Sequence, residues 1–334
     1  MSGAELGARR SAHVLVFVWL LTIFGCQQPS VDAAAGSESG VTPRASASVE
    51  VFVLGIAQDG GLPHLGCRRA CCREARASGR VEYPVSLGVV DRRNDQVLLV
   101  EATPKIEEQI GLLDEWSGLD RTGRAPVDAV VLTHAHIGHY LGLALFGREV
   151  LGARDLPVHC STRFAEFLRS GGPWSQLVEL GQIDITSFEP GESFEPWGGL
   201  SVRSIPVPHR DEFSDTMAFV IEGPIRSLLF VPDIDAWEKS PGLLDRLLDG
   251  VDIALVDGTF YDGSELPHRD PSEVPHPLML RTMDLLQERV AERPGSVQFL
   301  HLNHTNQVLH DEELRAEVRA RGFDVVQAGD RFIL

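Results

Sequence analysis

Short apolar runs rich in Val, Ile and Leu recur along the chain at Val51–Ile56, Val85–Val90, Val97–Val100, Val127–Leu132, Leu200–Ile205, Met217–Ile221, Ser227–Val231, Ile253–Val256 and Val297–Leu300. Runs of this length and composition predict strands. Helical periodicity falls between them, at Pro104–Leu113, Thr162–Arg169, Leu243–Leu248, Leu278–Val290 and Glu312–Arg321, so the class is α/β. The short connection Asp91–Asp95 inside Ser86–Val100 calls for an antiparallel pair, and the sheets are therefore expected to be mixed.

The N-terminus breaks this pattern. Val14–Phe24 is an apolar run preceded by Arg9 and Arg10 and followed by Gly25-Cys26, the layout of a secretory signal, and it is too short to span a bilayer as a helix. Ile23-Phe24-Gly25-Cys26 resembles a bacterial lipobox. That implies a signal peptide over residues 1–26 and an exported, membrane-anchored bacterial lipoprotein on the periplasmic or cell-surface side. Lipid on Cys26 would be the one contact with the membrane; plain secretion or an uncleaved anchor are the alternatives. Arg9-Arg10 resembles a twin-arginine signal, which implies export of an already folded, metal-loaded protein. Residues 27–48 are rich in Ala, Ser and Gly and read as a flexible linker, leaving one domain over 49–334. Of 334 residues, 43% are hydrophobic and 23% charged, which excludes a disordered or fibrous chain. Lys and Arg number 30 against 48 Asp and Glu, and the formal charge of −18 excludes nucleic acid as an expected partner.

The candidate chemistry lies at a strand end. Val130-Val131-Leu132-Thr133 runs directly into His134-Ala135-His136-Ile137-Gly138-His139. In an extended segment His134 and His136 point to one side, where neutral imidazoles can share a cation, and His139 comes round on the next helix toward a second position. A surface histidine cluster is the bland alternative, disfavoured by the apolar residues on both flanks.

This segment resembles the metallo-β-lactamase superfamily signature His-x-His-x-Asp-His, and His209, Asp233 and His301 follow in order, each after an apolar run. The resemblance implies a four-layer αββα sandwich with mixed sheets. It also implies that His134, His136 and His209 hold a first metal, that Asp233 bridges, and that His139 and His301 hold a second. Asp233, His301 and Glu101 would be the catalytic group, Glu101 matching a supporting aspartate that does not bind metal. Gly138 stands where the superfamily has aspartate, which implies a mononuclear or asymmetric centre. Zinc, one or two ions, is the expected active-site metal, with iron as the alternative.

Five cysteines are too few for a disulfide scaffold, yet Cys67, Cys71 and Cys72 cluster after the loop Gln58-Asp59-Gly60-Gly61-Leu62-Pro63. Such thiolates can hold a structural zinc if a fourth ligand arrives from elsewhere. His304 is the candidate, as in the phosphonate-pathway phosphodiesterases that this arrangement resembles; a Cys67–Cys72 disulfide is the alternative. Cys160 and His159 read as core residues.

Gly60-Gly61-Leu62-Pro63, Glu101-Ala102-Thr103-Pro104 with Gln109-Ile110, Asp257-Gly258-Thr259-Phe260 with Glu265-Leu266, and His301-Leu302-Asn303-His304-Thr305-Asn306 resemble the coenzyme PQQ synthesis protein B family. That family commonly lacks the full histidine signature, and its pathway is cytoplasmic. Asp257 either approaches the metals or caps a turn. The proline-rich stretch Leu266–Pro277, with His268 and His276, is long enough for a lid over the site; a plain surface loop is the ordinary reading of His268, and His276 stays open.

Three functions follow from these residues. The first is a metal-dependent hydrolase acting on an ester, lactone, thioester, lactam or phosphodiester in a small molecule or peptide. The second is an iron- and oxygen-dependent hydroxylase, and the third a non-catalytic binding lipoprotein.

Overall fold

The computed structural model describes residues 48–122, 125–265 and 276–334. The expected signal peptide, the lipobox-like segment ending at Cys26 and nearly all of the expected linker lie outside the described residues, as do 266–275 with His268. Among the described residues no helix is long and apolar enough to cross a membrane.

The first sheet opens with β1 (Val49–Gly55), β2 (Ser86–Asp91), β3 (Gln96–Val100), β4 (Ala129–Val131), β5 (Leu156–Ser161) and β6 (Ile183–Phe188). The second comprises β7 (Ser193–Trp197), β8 (Leu200–Val207), β9 (Thr216–Glu222), β10 (Ser227–Val231), β11 (Ile253–Asp257), β12 (Val297–Leu300) and β13 (Asp324–Val325). Strand β14 (Arg331–Ile333) returns to pair with β1. The orders are β14-β1-β2-β3-β4-β5-β6 and β13-β12-β11-β10-β9-β8-β7. Both sheets are mixed: β1, β2 and β3 pair antiparallel, β3 to β6 parallel, β7 to β10 antiparallel, and β10 to β13 parallel.

The helices are α1 (Ala70–Ser78), α2 (Ile106–Ser117), α3 (Ile137–Tyr140), α4 (Thr162–Ser170), α5 (Trp174–Glu179), α6 (Leu243–Leu248), α7 (Met279–Glu292) and α8 (Glu312–Ala320). Strand β1 shows how they are placed. Its alternate residues Val49, Val51 and Val53 join Phe219, Leu229 and Val231 of the facing sheet in one core. Phe52 and Leu54, on its other face, pack with Ile106 and Leu113 of α2 and with Phe164 and Leu168 of α4. A strand buried on both faces needs a sheet on one side and helices on the other. On the second sheet Met279, Met283 and Leu286 of α7 supply the outer layer. The result is the expected αββα sandwich, and burying each large apolar side chain contributes about 1.5–3 kcal/mol.

Candidate metal centre

The polar residues of the centre gather at the carboxyl ends of strands from both sheets, the usual place for a site in an α/β fold. Beyond β4, Leu132 and Thr133 lead to His134; His136, still extended at φ −96° and ψ 145°, immediately precedes α3. The turn of α3 then brings His139 alongside. His209 follows β8, Asp233 follows β10, Asp257 ends β11 and His301 follows β12.

Asp233 is the hub. Its Oδ1 lies 3.2 Å from His209 Nε2, and its Oδ2 lies 3.4 Å from His134 Nε2, 3.5 Å from His139 Nε2 and 3.7 Å from His301 Nε2. His134 Nε2 and His136 Nδ1 are 2.8 Å apart. Three sets have all their ligand atoms within 4.8 Å of one another: His134, His136, His209 and Asp233; Asp59, His139 and His301; and Asp233, Asp257, His276 and His301.

The second nitrogen of each imidazole faces an oxygen. Thr133 Oγ1 is 2.9 Å from His134 Nδ1, Glu212 Oε2 3.0 Å from His136 Nε2, and Thr259 Oγ1 3.0 Å from His301 Nδ1. Glu101 Oε1 is 3.5 Å from His139 Nδ1, and Asp235 Oδ1 is 3.5 Å from His209 Nδ1. Oxygens in these positions fix ring orientation and leave the inward nitrogens for a metal. Glu101 thus stands behind a ligand, outside the cluster itself. Glu101 and His301 both hold left-handed backbones, at φ 71° and 60°, a strain of about 1–3 kcal/mol each that the surrounding structure sustains at a functional site.

The inward atoms fit a metal. His139 Nε2, His209 Nε2, His301 Nε2, Asp233 Oδ1 and Asp59 Oδ1 are buried without a hydrogen-bond partner among the described residues. Left so, each costs about 1–3 kcal/mol. A divalent cation satisfies imidazole lone pairs and carboxylate oxygens together. Electrostatics agree. Burial, reinforced by the nearby His139 charge, holds His134 well below the usual imidazole range, and burial likewise lowers His209 and His301. Burial also opposes a charge on His139, but Glu101, Asp233 and Asp59 outweigh it and raise that ring well above the usual imidazole range. Burial raises Asp233, yet the charges of His301, His209 and His276 bring it well below the carboxylate range. The carboxylates around His139 thus favour positive charge at this point, which a bound cation would supply.

Asp257 Oδ2 is 2.7 Å from His276 Nδ1, and Asp257 Oδ1 accepts from the backbone N–H and hydroxyl of Thr259. Burial depresses His276, but Asp257 and then Asp233 reverse this and raise it to about 9. Asp257 accordingly does both things open to it in the sequence: it caps the turn and faces the centre.

Away from this centre, Cys67, Cys72 and His304 bring their ligand atoms within 4.8 Å of one another. Cys71 stands beside that set, its Sγ 3.9 Å from Cys72 Sγ, and His64 stacks on His304 with centroids 4.4 Å apart. The four described cysteines are free thiols. His159 is buried and stacked on Phe194, and Cys160 is fully buried.

Residues 97–293 match the beta-lactamase superfamily domain. The chain belongs to the metallo-β-lactamase superfamily. Within the superfamily it is 28% identical over 310 residues to coenzyme PQQ synthesis protein B of Methylobacterium nodulans, covering 84% of this chain and 98% of that protein. The Zn²⁺-bound PqqB structure from Methylobacterium extorquens superposes with a TM-score of 0.72 at 23% identity, covering 85% of this chain and 100% of that one. A diphosphatase of the PhnP family superposes with a TM-score of 0.60 at 19% identity, over 86% and 97% of the two chains. The superfamily binds metals, and this chain offers the His and Asp cluster for it. Sequence reading missed Asp59 as a member of the cluster and left His276 open. Asp59 sits in a loop whose glycines drew notice instead, and no spacing rule links it to the histidine motif.

Proposed function

We propose that the protein is a metal-dependent hydrolase whose centre is held by His134, His136 and His209 on one side of Asp233 and by His139 and His301 on the other. The observation that carries this reading is the convergence of four imidazoles, His134, His139, His209 and His301, on the two oxygens of one buried carboxylate, with His136 2.8 Å from His134. A zinc ion held by these residues would supply a water with a pKa of about 7 and polarisation of a carbonyl or phosphoryl oxygen. Asp233 orients the cluster from both edges of its carboxylate. Glu101 and Asp235 hold the rings of His139 and His209. His276, whose Nδ1 lies 2.7 Å from Asp257 Oδ2 and 3.4 Å from Asp233 Oδ1, would serve as a proton donor at the centre. The substrate class we propose is an ester, lactone, thioester or phosphodiester in a small molecule or peptide, met by an exported protein that a lipid on Cys26 anchors, with a structural zinc at the cysteine cluster.

The test is turnover by the zinc-loaded full chain of 4-nitrophenyl acetate, an acyl thioester and bis(4-nitrophenyl) phosphate, beside Asp233→Asn. Metal catalysis is worth several kcal/mol, so kcat/KM should fall at least about 100-fold while the circular dichroism spectrum is kept. Unchanged activity in Asp233→Asn contradicts the proposal. A second reading, an iron- and oxygen-dependent hydroxylase, draws support from the likeness to coenzyme PQQ synthesis protein B along that protein's whole length. Bound iron with oxygen uptake and no hydrolysis would favour it.

A further inference from the structure

Gly138 deprives the signature segment of its aspartate, yet the space that side chain would fill is occupied. A Cβ built on Gly138 would lie 2.0 Å from Asp59 Oδ1, 2.7 Å from its Cγ and 2.6 Å from its Cα. No side chain at 138 can coexist with Asp59 in this position. The Asp59 carboxylate points at the same histidines: Oδ1 is 3.4 Å from His139 Nε2, and it shares a set of mutually close ligand atoms with His139 and His301. That oxygen is buried and without a hydrogen-bond partner among the described residues, whereas the side chain as a whole is 42% exposed. The exposed remainder leaves the rim of the centre open on the Asp59 side.

The loop carrying Asp59 is locked to the strand end that carries His301. Gln58 N–H donates to Leu302 O at 2.9 Å, Asn303 Nδ2 donates to Gln58 Oε1 at 2.5 Å, and Gly61, at φ 66°, lets the chain turn back so that its N–H reaches Gln58 O. A left-handed residue here favours glycine. Asp59 is therefore placed by backbone contacts to the very segment whose histidine it would assist.

We infer that Asp59 supplies the carboxylate of the second metal position, taking over from the loop after β1 the part that the signature aspartate would play at Gly138. This rests on the metal-centre reading above, and makes the centre dinuclear despite the missing signature residue. It also explains why 138 is glycine: the carboxylate has moved, and its former place must be empty.

The experiment counts zinc per chain by elemental analysis after equilibrium dialysis of the full-length protein, with affinities from competition against a chromophoric chelator. Wild type is compared with Asp59→Asn and with Asp59→Ala. Removing even a group behind a ligand costs about 10–100-fold in affinity, so losing the ligand should cost at least the upper end of that range. Both variants are expected to lose one zinc, with affinity for it down about 100-fold or more, while keeping the others. Full zinc content and unchanged affinity in either variant would overturn the assignment. A wild-type chain carrying zinc at the cysteine cluster alone would overturn the metal-centre reading itself, and that result is visible before any variant is compared.

Discussion

His139 shows how one side chain can organise a centre. Its Nε2 faces Asp59 and Asp233 at 3.4 and 3.5 Å, and its Nδ1 faces Glu101, which is fully buried and held in a left-handed backbone. Changing Glu101 to Gln keeps the shape and removes the charge behind the ring. Groups in this position are worth about 10–100-fold in metal affinity, so Glu101→Gln should release zinc to a chelator at correspondingly lower competitor concentration. An unchanged chelator titration would show that Glu101 serves the backbone only. At this scale the sequence was informative wherever ligands follow a strand at fixed spacing, as His134, His136 and His139 do. It was silent on Asp59 and on the pairing of His276 with Asp257, because both depend on loops meeting across the fold.

Elements were legible in proportion to their burial. All nine apolar runs became strands, since a strand covered on both faces has to be apolar throughout. Strands β6 and β7 escaped because they lie at the sheet edges: in β6, Ile183 and Ile185 are buried while Asp184, Thr186 and Ser187 are exposed, and in β7 no residue is fully buried. The turn between β2 and β3 does more than reverse the chain. Asp91 accepts from Arg93, Asn94 and Trp197 Nε1, and Arg93 and Asn94 donate to Gly199 O and Gly198 O, so the turn clamps the β7–β8 connection of the facing sheet. Burial raises the Asp91 carboxyl, but the hydrogen bonds from Arg93, Trp197 and Asn94 outweigh it and hold it at about 2, against an ordinary 3.8. A depressed carboxyl stabilises the fold above its unfolded value and ceases to do so as pH falls through its folded value. The contribution, about 2 kcal/mol, is therefore complete at pH 7 and fades between roughly pH 4 and pH 2. Urea titrations should show Asp91→Asn less stable than wild type by about this amount at pH 7, with the gap narrowing in acid. A gap that stays constant with pH would contradict the clamp.

For the molecule as a whole, the two sheets divide the work. The first supplies Asp59, Glu101 and the His134–His139 segment from the loops after β1, β3 and β4; the second supplies His209, Asp233, Asp257 and His301 from β8, β10, β11 and β12. The set of His134, His136, His209 and Asp233 and the set of Asp59, His139 and His301 each draw on both sheets, so metal binding there and correct packing of the sandwich depend on each other. The superfamily and its layered fold were legible from motif order and strand context, whereas the way the missing signature carboxylate is made good was visible only once the β1 loop was seen against His301. The most direct test is crystallographic: anomalous difference maps collected on both sides of the zinc absorption edge from crystals of the zinc-loaded protein. Two peaks are predicted on either side of Asp233, one among His134, His136 and His209 and one among Asp59, His139 and His301, with a third at Cys67, Cys72 and His304. A map with no peak beside Asp233 would contradict the metal centre, and with it the proposed chemistry.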